Sequence, residues 1–513
     1  MSVLEKDKKA ALRREASVEV GEQTREGIMW TALFDGLQFV IRFVGSIILA
    51  RILFPEDFGL MGLALIVIQL ARRLANFGFN MVLVQLKTVK KEHYETVFMI
   101  NLVLLGGLTA ALWFAGGYIA EFFNNERIAP IISVLAVDFL LRAFISVPNA
   151  ILRRTMLFKK LEQARAVGAF FAILTPVVLA LTGFGVWSLV FGYLCGSLAE
   201  MVMTMCYARW LPKFKFHFWA FKEVFAFGLW VYIDGYISYG IKKVDFFCVG
   251  KFLGAAQLGF YERAFNLMSL PRQRIAVKIN NVLFSAYSRI QDQPERIVKA
   301  MLRVVTYFSI ITLPLMTWMY FVAPSLITVL YGQKWKAVIK PLQIMCLAGV
   351  FDTFSLILGP VLLAAGLVGH RTRRKFIHFI ILGIFVIVGL QWQIIGVAWA
   401  TTAASLVQFV LMLQLCVKHL PFTVLQFLKA QKSAFSYSLI QATSLSALIL
   451  CFRNYISMDS ATALLLLSAF STLVLIVTHK VLKSADIDES INEIYFGIKK
   501  FAVRVPIVRW FYV

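Results

Sequence analysis

Apolar residues in this chain come in long runs, and polar residues are confined to short intervals between them. Leu102–Ala120 and Ala461–Thr478 contain no charge at all. Each such run has the roughly 20 residues needed to cross a hydrocarbon core of about 30 Å. The runs are continuous rather than alternating, so they predict membrane-spanning helices and not the strands of a β-barrel. Fourteen spans are expected, centred near residues 38, 72, 108, 139, 174, 196, 236, 270, 312, 351, 383, 405, 443 and 470. The predicted fold class is an all-α polytopic membrane protein.

Composition agrees. Of 513 residues, 60% are hydrophobic and only 16% charged, too few charges to cover a soluble surface of this size. A net charge of +24 invites a nucleic-acid reading, but its distribution argues for topology instead. Lys and Arg number 23 in the loops 87–95, 152–165, 207–222, 286–303, 367–375 and 418–432, against seven in the alternate loops. By the positive-inside rule both termini are then cytoplasmic, in a multi-pass protein of the cytoplasmic (inner) membrane. Residues 1–26 are charged and polar, which predicts a cytoplasmic extension rather than a cleavable signal. The six cysteines are scattered and form no CxxC pair, and the histidines lack metal-ligand spacing. With no Walker A motif and no nucleophile elbow, the chain reads as neither an enzyme nor a metalloprotein.

The eighth span is the polar one, with Glu262, Arg263, Arg272, Arg274 and Lys278. Removing it would invert every later loop, so topology places it in the membrane, where protein or a wet cavity must surround it. The chain also repeats at an offset close to 200. Trp30 answers Trp230, and "ARILFPEDFG" (50–59) answers "GKFLGAAQLG" (250–259). Six spans separate the copies. This predicts two six-helix lobes, residues 27–211 and 212–420, related by a pseudo-twofold axis along the membrane normal. A terminal helix pair (421–483) is appended, followed by a cytoplasmic tail (484–513) whose aromatic and basic residues suit an interfacial helix.

The repeat carries cations with it: Arg42 answers Lys242, and Arg72 answers Arg272. At 100° per residue Gln69, Arg72, Arg73, Asn76 and Asn80 share one face of the second span, and Thr31, Asp35, Gln38, Arg42 and Ser46 one face of the first. Each cation buried in lipid costs about 2.5–3.5 kcal/mol on insertion scales. Asp138 and Arg142, spaced i,i+4, are expected to offset one another as a structural pair. Arg72 and Arg73 sit too far from either end of their span to reach water. Arginine bonds phosphate bidentately and keeps its proton when buried. A shared cationic cavity for a strongly anionic substrate is therefore expected, with Arg42, Arg72, Arg73, Asn76, Lys242, Arg272, Arg274 and Lys278 as its binding residues. Asp35, Glu200, Asp234, Asp245 and Asp352 are intramembrane acids that could carry a coupling Na+ or H+.

Four stretches, "LARILFPEDFGLMGLALIVI" (49–68), "YERAFNLMSLP" (261–271), "VLFSAYSRIQD" (282–292) and "LYGQKWKAVIKPLQIMC" (330–346), resemble the Wzx-type polysaccharide flippases. The colanic- and teichuronic-acid exporter type, within the MATE-like superfamily of drug, lipid and polysaccharide exporters, is the most similar group. The resemblance runs over residues 25–480. It implies alternating access, and flipping of a polyprenyl-pyrophosphate-linked oligosaccharide from the cytoplasmic to the outer leaflet. It also implies a monomer in the lipid bilayer, with a polysaccharide polymerase and glycosyltransferases as candidate partners. A lipid II-type flippase and a multidrug/cation antiporter on the same fold remain as alternatives. A cationic cavity disfavours the antiporter, and the short external loops disfavour a glycan ligase or polymerase.

Overall fold

The computed structural model describes residues 3–75, 83, 89–219, 240–271, 273, 283, 286–452 and 457–482. Among these there is no strand; helices follow one another with short connections. The chain divides into two compact units, Met1–Ser238 and Tyr239–Val513.

The first unit contains α1 (Val3–Ile52), α2 (Pro55–Ala75), α3 (Lys91–Phe122), α4 (Ile128–Leu135), α5 (Val137–Arg154), α6 (Phe158–Leu181) and α7 (Val186–Ala208). Helix α1 is continuous from the polar N-terminal extension into the first apolar run. It packs along α6, which packs on α7; α7 in turn touches α5, and α5 touches α3. The α6–α7 contact is close because glycines remove side chains from it. A Cβ placed on Gly168 would lie 2.9 Å from the Gly196 carbonyl oxygen, and one on Gly196 would lie 2.6 Å from the Ala172 Cβ. In lipid, where both the helix surface and its surroundings are apolar, such small-residue contacts are a main source of helix association.

The second unit contains α8 (240–252), α9 (Ala255–Pro271), α10 (Pro294–Leu330), α11 (Ile339–Ala364), α12 (Val368–Gly389), α13 (Gln393–His419), α14 (Val424–Ala430), α15 (Lys432–Phe452) and α16 (Ala461–Leu482). Its packing repeats that of the first: α12 on α13, α13 on α11, α11 on α10, and α9 on α11. The α15–α16 pair packs against α10, burying Val322, Leu445 and Leu467 together. Gln441 Nε2 donates to Ser471 Oγ at 2.7 Å, Trp318 Nε1 to Ser468 Oγ at 3.2 Å, and Thr328 Oγ1 to the Asp459 carbonyl at 2.8 Å.

The sequence repeat has a backbone counterpart. One helix ends at residue 52 and the other at 252; the next begin at Pro55 and Ala255. In both copies a last helical bond holds the break, Leu53 N–H to the Leu49 carbonyl and Leu253 N–H to the Val249 carbonyl, each 2.8 Å. The restarts differ chemically. In the first copy the Phe54 N–H is capped by Asp57 Oδ2 at 3.0 Å; in the second Gly254 adopts φ +87°, open to a residue without a side chain.

Among the described residues ten segments are long and apolar enough to span a membrane, and one of them, Val368–His419, contains both α12 and α13. The expected second, seventh and eighth spans and the 484–513 tail run into residues outside the described set.

Candidate functional site

Helix α1 shows two exposed faces of opposite character. Leu33, Leu37, Val40, Val44 and Ile48 form an exposed apolar stripe, suited to acyl chains. Arg42 is also exposed, yet it lies about 160° around the helix from the middle of that stripe. Asp35, Gln38 and Ser46, which share its face, are half-buried. Among the described residues the Arg42 side chain has no ion pair. A charged face opposite a lipid-facing one needs water or protein against it.

A polar cluster in the first unit centres on one carboxylate. Asp138, at the start of α5, is fully buried and accepts four hydrogen bonds. Arg72 Nη2 reaches across from α2 to Oδ2, and Arg142 Nε, one turn along α5, donates to the same oxygen at 2.8 Å. From α7, Ser197 Oγ donates to Oδ1 at 2.6 Å, and Tyr193 Oη lies 3.4 Å from Oδ2. Tyr193 Oη also accepts from Arg72 Nη2 at 2.8 Å, and the Arg72 guanidinium stands 6.0 Å from the Phe139 ring centroid. The two arginine side chains keep 28% and 31% of their exposure while the acid has none, so positive charge faces outward and negative charge inward.

Asp138 and Arg142 do pair, as their spacing predicts, but the pair is not closed: a second cation from 66 residues away shares the same carboxylate. Tyr193, Ser197 and Arg142 were not among the expected binding residues. A signal for the α7 residues was present, since Tyr193, Ser197 and Glu200 stand at i, i+4 and i+7 on one helix face. Arg73, beside Arg72, is half-buried and has a partner of its own. Glu200 is half-buried, with its Cβ facing Gly168.

In the second unit, Lys242 on α8 is exposed and Asp352 on α11 half-buried, each with a partner. Asp245 on α8 is 4% exposed. Tyr261 Oη donates to its Oδ2 at 2.8 Å, and its Oδ1 is buried without a partner. The neighbouring Lys243 does not pair with it; its Nζ stands 4.5 Å from the Phe246 ring centroid. Asn76, Asp234, Arg272, Arg274 and Lys278 lie outside the described residues. No group of three or more His, Cys, Asp or Glu placed to hold a metal occurs among the described residues.

A family model described as "Polysaccharide biosynthesis protein" matches residues 48–340, more than half the chain. The chain is 26% identical over 398 residues to the lipopolysaccharide biosynthesis protein WzxC of Escherichia coli (strain K12), covering 76% of this chain and 79% of that protein. It is 22% identical over 404 residues to the teichuronic acid biosynthesis protein TuaB of Bacillus subtilis (strain 168), covering 76% and 82%. Among solved structures, a lipid II flippase, MurJ, in an inward closed conformation aligns with a TM-score of 0.71 at 16% identity. That alignment covers 88% of this chain and 98% of the other. An inward-facing multidrug resistance MATE family transporter aligns with a TM-score of 0.56 at 16% identity, covering 76% and 98%.

Proposed function

The chain belongs to the polysaccharide biosynthesis protein family, and on that footing we propose that it flips polyprenyl-pyrophosphate-linked oligosaccharide from the cytoplasmic to the outer leaflet. The work is transport, not bond-making. The observation that carries the reading is the Asp138 cluster: two guanidiniums converge on one buried carboxylate and share it. A pyrophosphate crossing an apolar slab loses its hydration, and fixed N–H donors replace the lost water most effectively where the dielectric is low.

In this proposal the polar face of α1, bearing Arg42, and the cluster on α2, α5 and α7 contribute to a cationic chamber. Arg73, Asn76, Lys242, Arg272, Arg274 and Lys278 are proposed as further binding residues from the charge pattern of the sequence repeat. The glycan stays wet in the chamber while the polyprenyl tail remains in the bilayer. The chamber opens to one side at a time across fourteen spans, with both termini cytoplasmic. Asp245 is the acid best suited to carry a coupling cation. A buried carboxylate oxygen without a donor is costly, and a proton or Na+ on Oδ1 removes that cost. Asp35, Glu200, Asp234 and Asp352 are weaker candidates for the same role.

The test is leaflet movement of a fluorescent lipid-linked oligosaccharide in proteoliposomes. Arg72→Ala and Arg42→Ala are expected to slow it at least tenfold while the purified proteins keep their helical content. Wild-type rates in both would remove the cationic-chamber reading.

A further inference from the structure

We infer that Arg142 is the second half of a diphosphate clamp whose first half is Arg72, with Asp138, Tyr193 and Ser197 as the buried bracket that sets it. This rests on the substrate reading above and gives a binding role to a residue that its spacing alone would assign to a structural pair.

The geometry begins with a shared atom. Both arginines donate to Asp138 Oδ2, so the two donor nitrogens lie within about 6 Å of one another, a gap that one diphosphate can bridge. Each guanidinium carries five N–H donors. Arg72 directs Nη2 to Asp138 and Tyr193, and Arg142 directs only Nε to Asp138. Among the described residues no acceptor meets Arg72 Nη1 or either Nη of Arg142, and Arg72 Nε is buried without a partner. Arg72 Nη1 and the two Arg142 Nη groups, unlike the buried Arg72 Nε, therefore belong to the part of each side chain that keeps some exposure.

The bracket explains why two like charges stay together without a ligand. Asp138 cannot swing out to follow them: it is fully buried at the start of α5, with Ser197 on one oxygen and Tyr193 near the other. Its single charge is shared by two arginines, and neither has a second acid bonded to it. Glu200, one turn beyond Ser197, attracts Arg142 through space but makes no hydrogen bond to either arginine. A simple structural pair needs one cation for one acid. A second cation held at the same oxygen, with its donors turned outward, fits an arriving dianion instead. Two planar forks side by side suit a diphosphate better than a single compact anion such as sulfate.

The experiment uses the full-length protein in nanodiscs with inorganic pyrophosphate as the probe and sulfate as the control. Phenylglyoxal labelling, mapped by mass spectrometry, is expected to modify Arg72 and Arg142 in the empty protein. Pyrophosphate should protect both together, leaving Arg127, which pairs with Glu56 elsewhere, unaffected. Arg142→Lys, which keeps the charge but loses the fork, is expected to weaken pyrophosphate binding about tenfold with an unchanged thermal midpoint. Asp138→Asn should weaken it comparably by releasing both arginines. If pyrophosphate protects Arg72 but leaves Arg142 reactive, and Arg142→Lys binds like wild type, the clamp is overturned while the anion site stands. If pyrophosphate neither binds nor protects any arginine, the clamp and the substrate reading fall together.

Discussion

Asp138 and Asp245 are both buried carboxylates on membrane helices, and the protein surrounds them in opposite ways. Asp138 is overcompensated: two arginines and two hydroxyls converge on it. Asp245 is undercompensated: one tyrosine hydroxyl reaches one oxygen, and the other is bare. A carboxylate with excess cations around it makes its neighbourhood attractive to a further anion, whereas one with a deficit attracts a cation. Within the proposed cycle these two sites divide the work, the first unit holding substrate charge and the second taking up the coupling ion.

Applying one substitution to both acids separates them most clearly. Asp138→Asn removes the carboxylate bonded to both arginines and is expected to cost about 3 kcal/mol of stability, read as a fall in thermal midpoint, along with transport. Asp245→Asn keeps shape and hydrogen-bonding capacity and removes only the uncompensated charge. Its stability should stay within about 1 kcal/mol of wild type, while transport ceases to respond to an imposed sodium or pH gradient. Equal destabilisation at the two positions would erase the distinction.

The α6–α7 contact offers an indirect probe, because it sets where Tyr193 and Ser197 stand. Gly196→Val drives side-chain atoms into Ala172 and should cost about 1–3 kcal/mol and weaken pyrophosphate binding, with no effect on gradient response. The smallest effect is expected from Lys336→Ala. Its 2.6 Å bond to Asp459 joins a short 3₁₀ helix to a turn with the lysine half-exposed, so its loss should change stability by less than about 1 kcal/mol and transport not at all.

Much of this was readable along the chain. Apolar run length gave the helical class, and the helix breaks at 52/55 and 252/255 fall where the offset of 200 places them. The Asp138–Arg142 bond follows from i,i+4 spacing alone. Less accessible was Arg72, whose helix face was readable but whose partner was not, and Tyr193 and Ser197, 55 and 59 residues beyond Asp138. Asp245 was similar: Lys243, two residues away, stands over Phe246, and the acid's bond comes from a tyrosine 16 residues on.

The sequence by itself determined what is local or one-dimensional: which segments are apolar enough for lipid, which loops carry positive charge, and which residues share a helix face. Those properties depend on composition and a fixed helical period, which no neighbour can alter. Only the tertiary structure decided which faces meet, and therefore that two arginines share one acid while another buried acid has none. That outcome depends on the rotation and depth of α2, α5 and α7 against one another, set by close contacts such as Gly168 against Gly196. A slip of one residue turns a helix by about 100° and would carry Arg72 away from Asp138 altogether.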